Sequence, residues 1–258
     1  KIIMNKLVFH LQNDIKKIEN LEKSQFAIPK LDWEKKVPLL IGKNTLQQMI
    51  LNMSKHGFNN IIELTRKKTN NKITLESLEQ LIEIEIKSYL MNRSKENLIF
   101  IFHLIQLWGG NAGRMFYFKG SNIDFIEYEY LISKILTSCA PNNIVLELKK
   151  FIKSRNTKFL NIAFVTKHIS LWQRFGTNFE NPLPIYDSII AKNIMGVVTY
   201  NKKTKKWSGI TNNDWKSLEC YWENMLKVAK IENVSTATIE RQLFNFFREN
   251  DWNRNYGY

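Results

Sequence analysis

Two charged residues occupy positions that helical periodicity assigns to apolar side chains. Lys167 falls on a stripe of apolar residues that recur at helical spacing, namely Leu160, Phe164, Leu171 and Phe175. Asp187 heads a second stripe, formed by Ile190, Ala191 and Ile194. Because an unpaired buried charge costs several kcal/mol, this pattern predicts that Lys167 and Asp187 face each other across two helices.

The chain between the two residues is long enough for this arrangement. The first helix carries the chain roughly 12 Å beyond Lys167, at about 1.5 Å per residue. The link of residues 175–186 contains Pro182 and Pro184 and can extend over more than about 30 Å. Asp187 directly follows this link and is predicted to be the N-cap of the next helix, where free backbone amides and the helix dipole favour a carboxylate.

Most of the remaining chain also has helical periodicity, which predicts an all-α fold. Residues 96–107 are apolar nearly all round and indicate a central helix that is buried on most sides. Thr74 carries a capping signal for a helix that should run to Met91. We expect residues 140–143 to form a turn and residues 197–209 a basic loop, with a short hairpin as the alternative. Two regions, 1–95 and 96–258, or one compact unit, would account for the length.

The charge balance favours a polyanionic partner. Lys and Arg total 38 against 24 acidic residues, a net charge of +14, and phosphates neutralised by such side chains release counterions. A solvated basic surface is the alternative interpretation. The densest basic cluster near Lys167 is suited to phosphate contacts that position a duplex without reading its sequence; it consists of Lys149, Lys150, Lys153, Arg155 and Lys158, and Arg114 is assigned to the same role.

Cysteine and histidine usage points away from metal or cofactor chemistry. The two cysteines, Cys139 and Cys220, lie among apolar residues and are expected to be free thiols in a reducing compartment. The four histidines have no metal-ligand spacing with them. No apolar run is long enough for a transmembrane helix and no signal peptide is evident, so an intracellular protein is expected.

The end of the apolar segment is rich in glycine. Trp108 and Gly109 begin the run WGGNAGR, which ends at Arg114. Glycines allow a ligand to approach the backbone closely, and a plain helix C-cap is the competing interpretation. The aromatic residues of 116–130 could stack on bases, but they are more commonly core residues.

Several of these residues together resemble a known family. They are F-x-T-K-H at 164–168, PIYDS at 184–188, LWGG at 107–110, and an aspartate twenty positions after a lysine. This combination is similar to the helix-hairpin-helix DNA glycosylases, specifically the 8-oxoguanine DNA glycosylase branch and compact bacterial proteins of that fold. The similarity covers 97–248 loosely and 167–196 more specifically. The chain departs from the family at 156–163, which lacks the glycines of the hairpin that cradles a DNA phosphate.

The resemblance implies a helical bundle with the active site in a cleft between helical halves. It implies that Lys167 is the nucleophile and Asp187 the activating, charge-stabilising carboxylate of a cofactor-free monomer. Double-stranded DNA with a modified base would be the partner, in the prokaryotic nucleoid. Oxidised guanine or a bulky base of phage DNA would be excised, in repair or in antiviral defence. Candidates to line the base pocket are Trp108, Gly109, His168 and Tyr186.

A lysine attacks only as the neutral amine, which at pH 7 requires its pKa to fall by about three units from about 10.4. Burial of Lys167 lowers the pKa and an ionised Asp187 raises it. The sequence leaves open which effect is larger. It also leaves open a buried salt bridge without chemistry, a catalytically silent DNA-binding module, and a helical scaffold for protein partners.

Overall fold

The computed structural model describes residues 43–109, 123–153, 162–196, 198–201, 206–209 and 214–249, together with Leu31. Within these ranges the chain forms ten α-helices and one β-hairpin. The predicted all-α class is therefore confirmed, with the hairpin as a small addition. The helices are α1 Lys43–Lys55, α2 Asn59–Lys68, α3 Leu75–Asn92, α4 Lys95–Trp108, α5 Phe125–Ile135, α6 Pro141–Lys153, α7 Ile162–Gly176, α8 Ser188–Asn193, α9 Trp215–Glu232 and α10 Thr236–Glu249.

The hairpin replaces most of the loop predicted for residues 197–209. Strands β1, Val198–Asn201, and β2, Lys206–Gly209, pair antiparallel, with Val198 opposite Gly209 and Asn201 opposite Lys206. The two strands contain β-branched and aromatic residues, which suit a pleated backbone. The lysines that led to the loop prediction lie mainly between the strands in the sequence.

Helix α4 is the central helix, as its uniformly apolar sequence predicts. Every residue from Phe100 to Trp108 is buried. The helix packs against α1, α2, α3 and α7, so neighbours surround it on most sides. The buried apolar residues of the described chain form one cluster that reaches from Leu46 to Phe247, with members on both sides of residue 95.

Helix ends follow capping chemistry that is readable in the sequence. Thr74 accepts a hydrogen bond from the Ser77 amide at 3.0 Å, and Ser77 Oγ accepts one from the Thr74 amide at 2.9 Å, which completes a capping box. The predicted turn at 140–143 is wrong from Pro141 onward, because α6 begins at that residue. Proline is favoured at the first position of a helix, where its missing N–H leaves no bond unmade.

The link between α7 and α8 is held on three sides, which positions the start of α8. The Leu183 amide donates to Gln173 Oε1 at 2.7 Å. Trp222 Nε1 donates to the Pro184 carbonyl at 2.7 Å, and Thr236 Oγ1 donates to the Pro182 carbonyl. Because α7, α9 and α10 each contribute one bond, the proline-containing link has a defined path.

In the part of the chain that the structure describes, no helix combines the length and the apolar character needed to cross a membrane. Cys139 and Cys220 are half-buried and form no disulfide within the described residues.

Candidate active site

Lys167 lies in the second turn of α7 with only part of its side chain exposed. Its aliphatic stem passes directly over Gly109, where an added Cβ would stand 3.4 Å from Lys167 Cδ. Its ammonium lies 5.7 Å from the centroid of the Phe164 ring. The lysine is therefore enclosed by apolar and backbone groups, as its place on the apolar stripe predicts.

Gly109 fits the C-cap interpretation of the glycine-rich segment, while close approach of a ligand to the backbone stays a prediction. It is the C-cap residue of α4, with ordinary right-handed helical backbone angles. A Cβ at this position would meet the stem of Lys167 at an ordinary van der Waals distance. Trp108 beside it is buried, and its Nε1 has no hydrogen-bond partner among the described residues.

Asp187 is the N-cap of α8, as predicted. Its Oδ1 accepts hydrogen bonds from the amides of Ile189 at 2.9 Å and Ile190 at 3.0 Å. A carboxylate in this position is stabilised by otherwise unpaired amides and by the positive end of the helix dipole. Asp187 is half-exposed, while Ile190 and Ala191 behind it are buried.

Two buried residues fix the register between the two helix segments. Thr166 Oγ1 accepts a hydrogen bond from the Tyr186 amide at 3.1 Å, and its hydroxyl lies 3.3 Å from two acceptors, the carbonyl oxygens of Tyr186 and Ala163. These residues directly precede Lys167 and Asp187. The Thr166–Tyr186 bridge therefore determines where the lysine and the aspartate lie relative to each other.

Lys167 and Asp187 share one neighbourhood but do not touch. Within the described residues, neither forms an ion pair at 4.0 Å or less. Burial lowers the pKa of the Lys167 ammonium below its ordinary value, although Asp187 and Glu240 act in the opposite direction. Burial is therefore the larger of the two effects that the sequence leaves in balance.

Glu240 is a member of this neighbourhood that sequence reasoning missed. It lies on α10, is 6% exposed, and its charge acts on both Lys167 and Arg174. A signal was available in the sequence, because Glu240 follows Ile239 and precedes Leu243 on the apolar face of its helix. The same kind of misplaced charge drew attention to Lys167.

His168 is directed into the core rather than toward a surface. Its ring stacks on Phe102 at 4.9 Å between centroids, and its Nδ1 lies 2.7 Å from Tyr128 Oη. Trp172 Nε1 donates to the same Tyr128 oxygen at 2.9 Å. The direction of the bond between Tyr128 and His168 follows the tautomer of the histidine ring. Burial, reinforced by Lys167 and His103, lowers the pKa of His168 to about 3, so the ring is neutral.

Tyr186 is fully buried, and its hydroxyl donates to Asp214 Oδ2 at 2.8 Å. Burial and this neighbouring carboxylate raise its pKa. Of the four residues assigned to a base pocket, the structure brings Gly109 next to Lys167. The Tyr186 hydroxyl is engaged by Asp214 and His168 Nδ1 by Tyr128, while His168 Nε2 is buried without a hydrogen-bond partner among the described residues. The pocket role of both residues stays a prediction.

The predicted basic cluster is described in part. Lys149 is half-buried, with its ammonium 5.9 Å from the Trp215 ring centroid. Lys150 forms an ion pair with Glu147 at 2.8 Å, and Lys153 is exposed. Arg114, Arg155 and Lys158 lie outside the described residues, as do residues 156–161 of the glycine-free hairpin segment.

Among residues with described positions, no group of three or more His, Cys, Asp or Glu side chains is arranged to hold a metal ion. Comparison of the chain with protein-family models, with curated proteins and with solved structures gave no match.

Proposed function

We propose that this protein is a DNA glycosylase that extrudes a modified base from duplex DNA and excises it. Lys167 acts as the nucleophile and Asp187 as the carboxylate that stabilises the positive sugar. The observation that carries the proposal is the enclosed lysine with a lowered pKa, held in fixed register with a helix-capping aspartate by the Thr166–Tyr186 bridge.

The lowered pKa of Lys167 supports a nucleophilic role, because only the neutral amine can attack. Burial supplies this effect, and no ion pair with a described residue holds the proton on Lys167. A lysine kept for structure alone would be expected to pair with the carboxylate beside it. Instead, Asp187 Oδ1 accepts hydrogen bonds from two backbone amides. The carboxylate acts on the amine through its charge, without forming an ion pair with it.

The reaction follows from these two groups. The Lys167 amine attacks C1′ of the extruded nucleotide, forming an N–C bond as the glycosidic bond breaks. The base leaves with the bonding electron pair and takes up a proton. The Asp187 carboxylate stabilises the positive charge that develops on the sugar. The attached nitrogen then loses one proton, and the C1′–O4′ bond breaks as O4′ takes up a proton, which gives a protonated Schiff base. Loss of a proton from C2′ allows β-elimination to break the 3′ C–O bond, with the 3′ phosphate as the leaving group.

The charge of the chain supports DNA as the partner. A net charge of +14 favours binding to a polyanion, and Lys153 is exposed on α6. Phosphate contacts of this kind predict that duplex affinity falls steeply with rising salt. A weak affinity that changes little with salt would favour a scaffold for protein partners.

The proposal is tested by release of free base from duplexes that carry oxidised guanine or bulky modified bases. Lys167→Ala should abolish release. Asp187→Asn retains an N-cap oxygen but removes the negative charge, and should lower release on the order of 100-fold. Lys227→Ala, at an exposed position on α9, is the control that should retain full activity. Release that persists in Lys167→Ala would exclude the lysine mechanism, and no release from any duplex would favour a silent binding module.

A further inference from the structure

Two glutamines of the core differ in their hydrogen bonding. Gln106 on α4 and Gln173 on α7 are both fully buried. Gln173 Nε2 donates to the carbonyl oxygens of Ile135 and Ser138 at 2.9 Å, and its Oε1 accepts from the Leu183 amide at 2.7 Å. Neither Nε2 nor Oε1 of Gln106 has a hydrogen-bond partner among the described residues. The same amide group is therefore bonded at both ends in one place and unbonded in the other.

An unbonded amide in the core disfavours the folded state, because its atoms have left water without gaining new partners. An apolar side chain of similar size would fill the position of Gln106 without this loss. His168 Nε2, on the helix that α4 packs against, is also buried without a partner among the described residues. Such groups are rare in folded proteins, and a bound ligand that supplies the missing bonds is one reason for them.

Gln106 lies on the face of α4 that is turned toward α7. It follows Phe102 by four residues and precedes Gly109 by three, so the three residues lie along one helix face. Both neighbours of Gln106 on this face contact α7. Phe102 stacks on the His168 ring at 4.9 Å between centroids, and a Cβ at Gly109 would lie 3.4 Å from Lys167 Cδ. Gln106 is therefore bracketed by contacts to the proposed nucleophile and to the residue after it.

The surroundings of this face suit a flat heteroaromatic ring. Phe102 and Phe164 both contact the His168 ring, at 4.9 and 5.6 Å between centroids. An amide presents a donor and an acceptor side by side, and it pairs with a base edge that has the complementary groups. A ring N–H beside a carbonyl is such an edge. Methylation of that ring nitrogen removes the N–H and would leave Gln106 Oε1 unpaired.

We propose that Gln106 is a specificity-determining residue of the site, whose amide pairs with the edge of a base. Nε2 donates to the base carbonyl and Oε1 accepts from the ring N–H, so bases with this edge are selected over bases methylated at the ring nitrogen. That the base is extruded from a duplex rests on the proposed function; the pairing itself does not. Because the amide is enclosed in the free protein, the side chains that cover it move aside when the base enters.

The first test measures stability without any ligand. Gln106→Met replaces the unbonded amide by an apolar chain of the same length, so the melting temperature should be unchanged or rise. Gln173→Met is the matched control, equal in chemistry and burial. It leaves three buried backbone groups unpaired and should lower the melting temperature by about 5 °C or more. An equal loss in both variants would show that the Gln106 amide already has a stabilising partner and would overturn the inference.

The second test follows the pairing in the wild-type protein. The probe is hypoxanthine, which has a ring N–H beside a carbonyl, and the comparison is 1-methylhypoxanthine, which lacks that N–H. In NMR spectra of isotope-labelled protein, the Gln106 side-chain amide is the signal that disappears in Gln106→Met. It should shift on addition of hypoxanthine while the Gln173 amide stays in place, and 1-methylhypoxanthine should bind at least about tenfold more weakly. No shift of the Gln106 amide with millimolar hypoxanthine, or equal binding of the two probes, would overturn the inference.

These measurements separate the inference from the proposed function. If the Gln106 amide responds to hypoxanthine as expected but no duplex releases a base, Gln106 reads bases in a protein that binds them without excision. If duplexes release a base but the Gln106 amide responds to neither probe, the glycosylase proposal stands and other residues recognise the base.

Discussion

The two faces of helix α7 differ in whether their buried polar groups have bonded partners. On one face, the Tyr128 hydroxyl joins His168 and Trp172 in a buried network of short hydrogen bonds. On the other face, Lys167 lies near two carboxylates without an ion pair at 4.0 Å or less among the described residues. A bonded network stabilises one arrangement of the core. An enclosed charge without a bonded partner lowers stability and raises reactivity instead.

The largest expected effect concerns stability in acid, which depends on two buried histidines: His168 in the Tyr128 network and His103 on α4. Burial lowers the pKa of His168 to about 3 and that of His103 to about 4, from an ordinary 6.5. Between the folded pKa and the ordinary 6.5, the unfolded chain binds more protons than the folded protein. The contribution of each neutral histidine to the free energy of unfolding is therefore complete above about pH 6.5 and is lost as the pH falls. As the pH falls from about 7 to about 5, each histidine should lower the free energy of unfolding by roughly 2 kcal/mol.

Denaturant unfolding at the two pH values measures this loss. His168→Asn should reduce the pH dependence by about one histidine's share, roughly 2 kcal/mol. An identical pH dependence in the wild type and His168→Asn would show that His168 is not held neutral by burial.

The next effect is the loss of the central hydroxyl of the network. Tyr128→Phe leaves Trp172 Nε1 and His168 Nδ1 without their shared partner, which should lower the free energy of unfolding by about 2–4 kcal/mol. Tyr130→Phe, at a tyrosine that is 53% exposed, is the matched control, with an expected change below about 0.5 kcal/mol. Equal effects of the two substitutions would remove the distinction between the faces.

A smaller loss of stability, with a larger loss of function, is expected at the bridge. Thr166→Val preserves the shape of the side chain but leaves the buried Tyr186 amide without its acceptor. This should lower the free energy of unfolding by about 1–2 kcal/mol. Because the bridge fixes Lys167 relative to Asp187, base release should fall by at least about tenfold. Thr137→Val, at an exposed position that bonds only its own helix end, tests whether threonine loss alone matters. Full activity in Thr166→Val would show that the register is fixed elsewhere.

The smallest expected effect has the opposite sign. Lys167→Met keeps the length of the stem over Gly109 and removes an unpaired ammonium, so the free energy of unfolding should be unchanged or increase by about 1 kcal/mol. Thermal or denaturant unfolding of the wild type and Lys167→Met measures this difference in the free energy of unfolding. A loss of more than about 2 kcal/mol would mean that Lys167 makes a stabilising interaction, as a structural salt bridge would.

Local features of this site were readable from the sequence. The prolines before Asp187 and the apolar stripe after it predict the N-cap, and the structure has it. The apolar residues around Lys167 predict its enclosure. Both depend on residues within about two helical turns, where periodicity and capping chemistry govern the structure.

The missing parts depend on residues far apart in the chain. Tyr128 is separated from His168 by 40 positions and from Trp172 by 44, and periodicity does not say which helices meet. For the same reason, the sequence does not show that the His168 ring packs against Phe102. Glu240 was missed because its burial depends on how α10 packs against α8.

The most direct test of the central claim is borohydride reduction of the protein bound to a duplex that it acts on, followed by peptide mapping of the covalent adduct. The account predicts a sugar remnant on Lys167 and no adduct with Lys167→Ala. An adduct on another amine, or base release without any adduct, would contradict the role of Lys167 as the nucleophile.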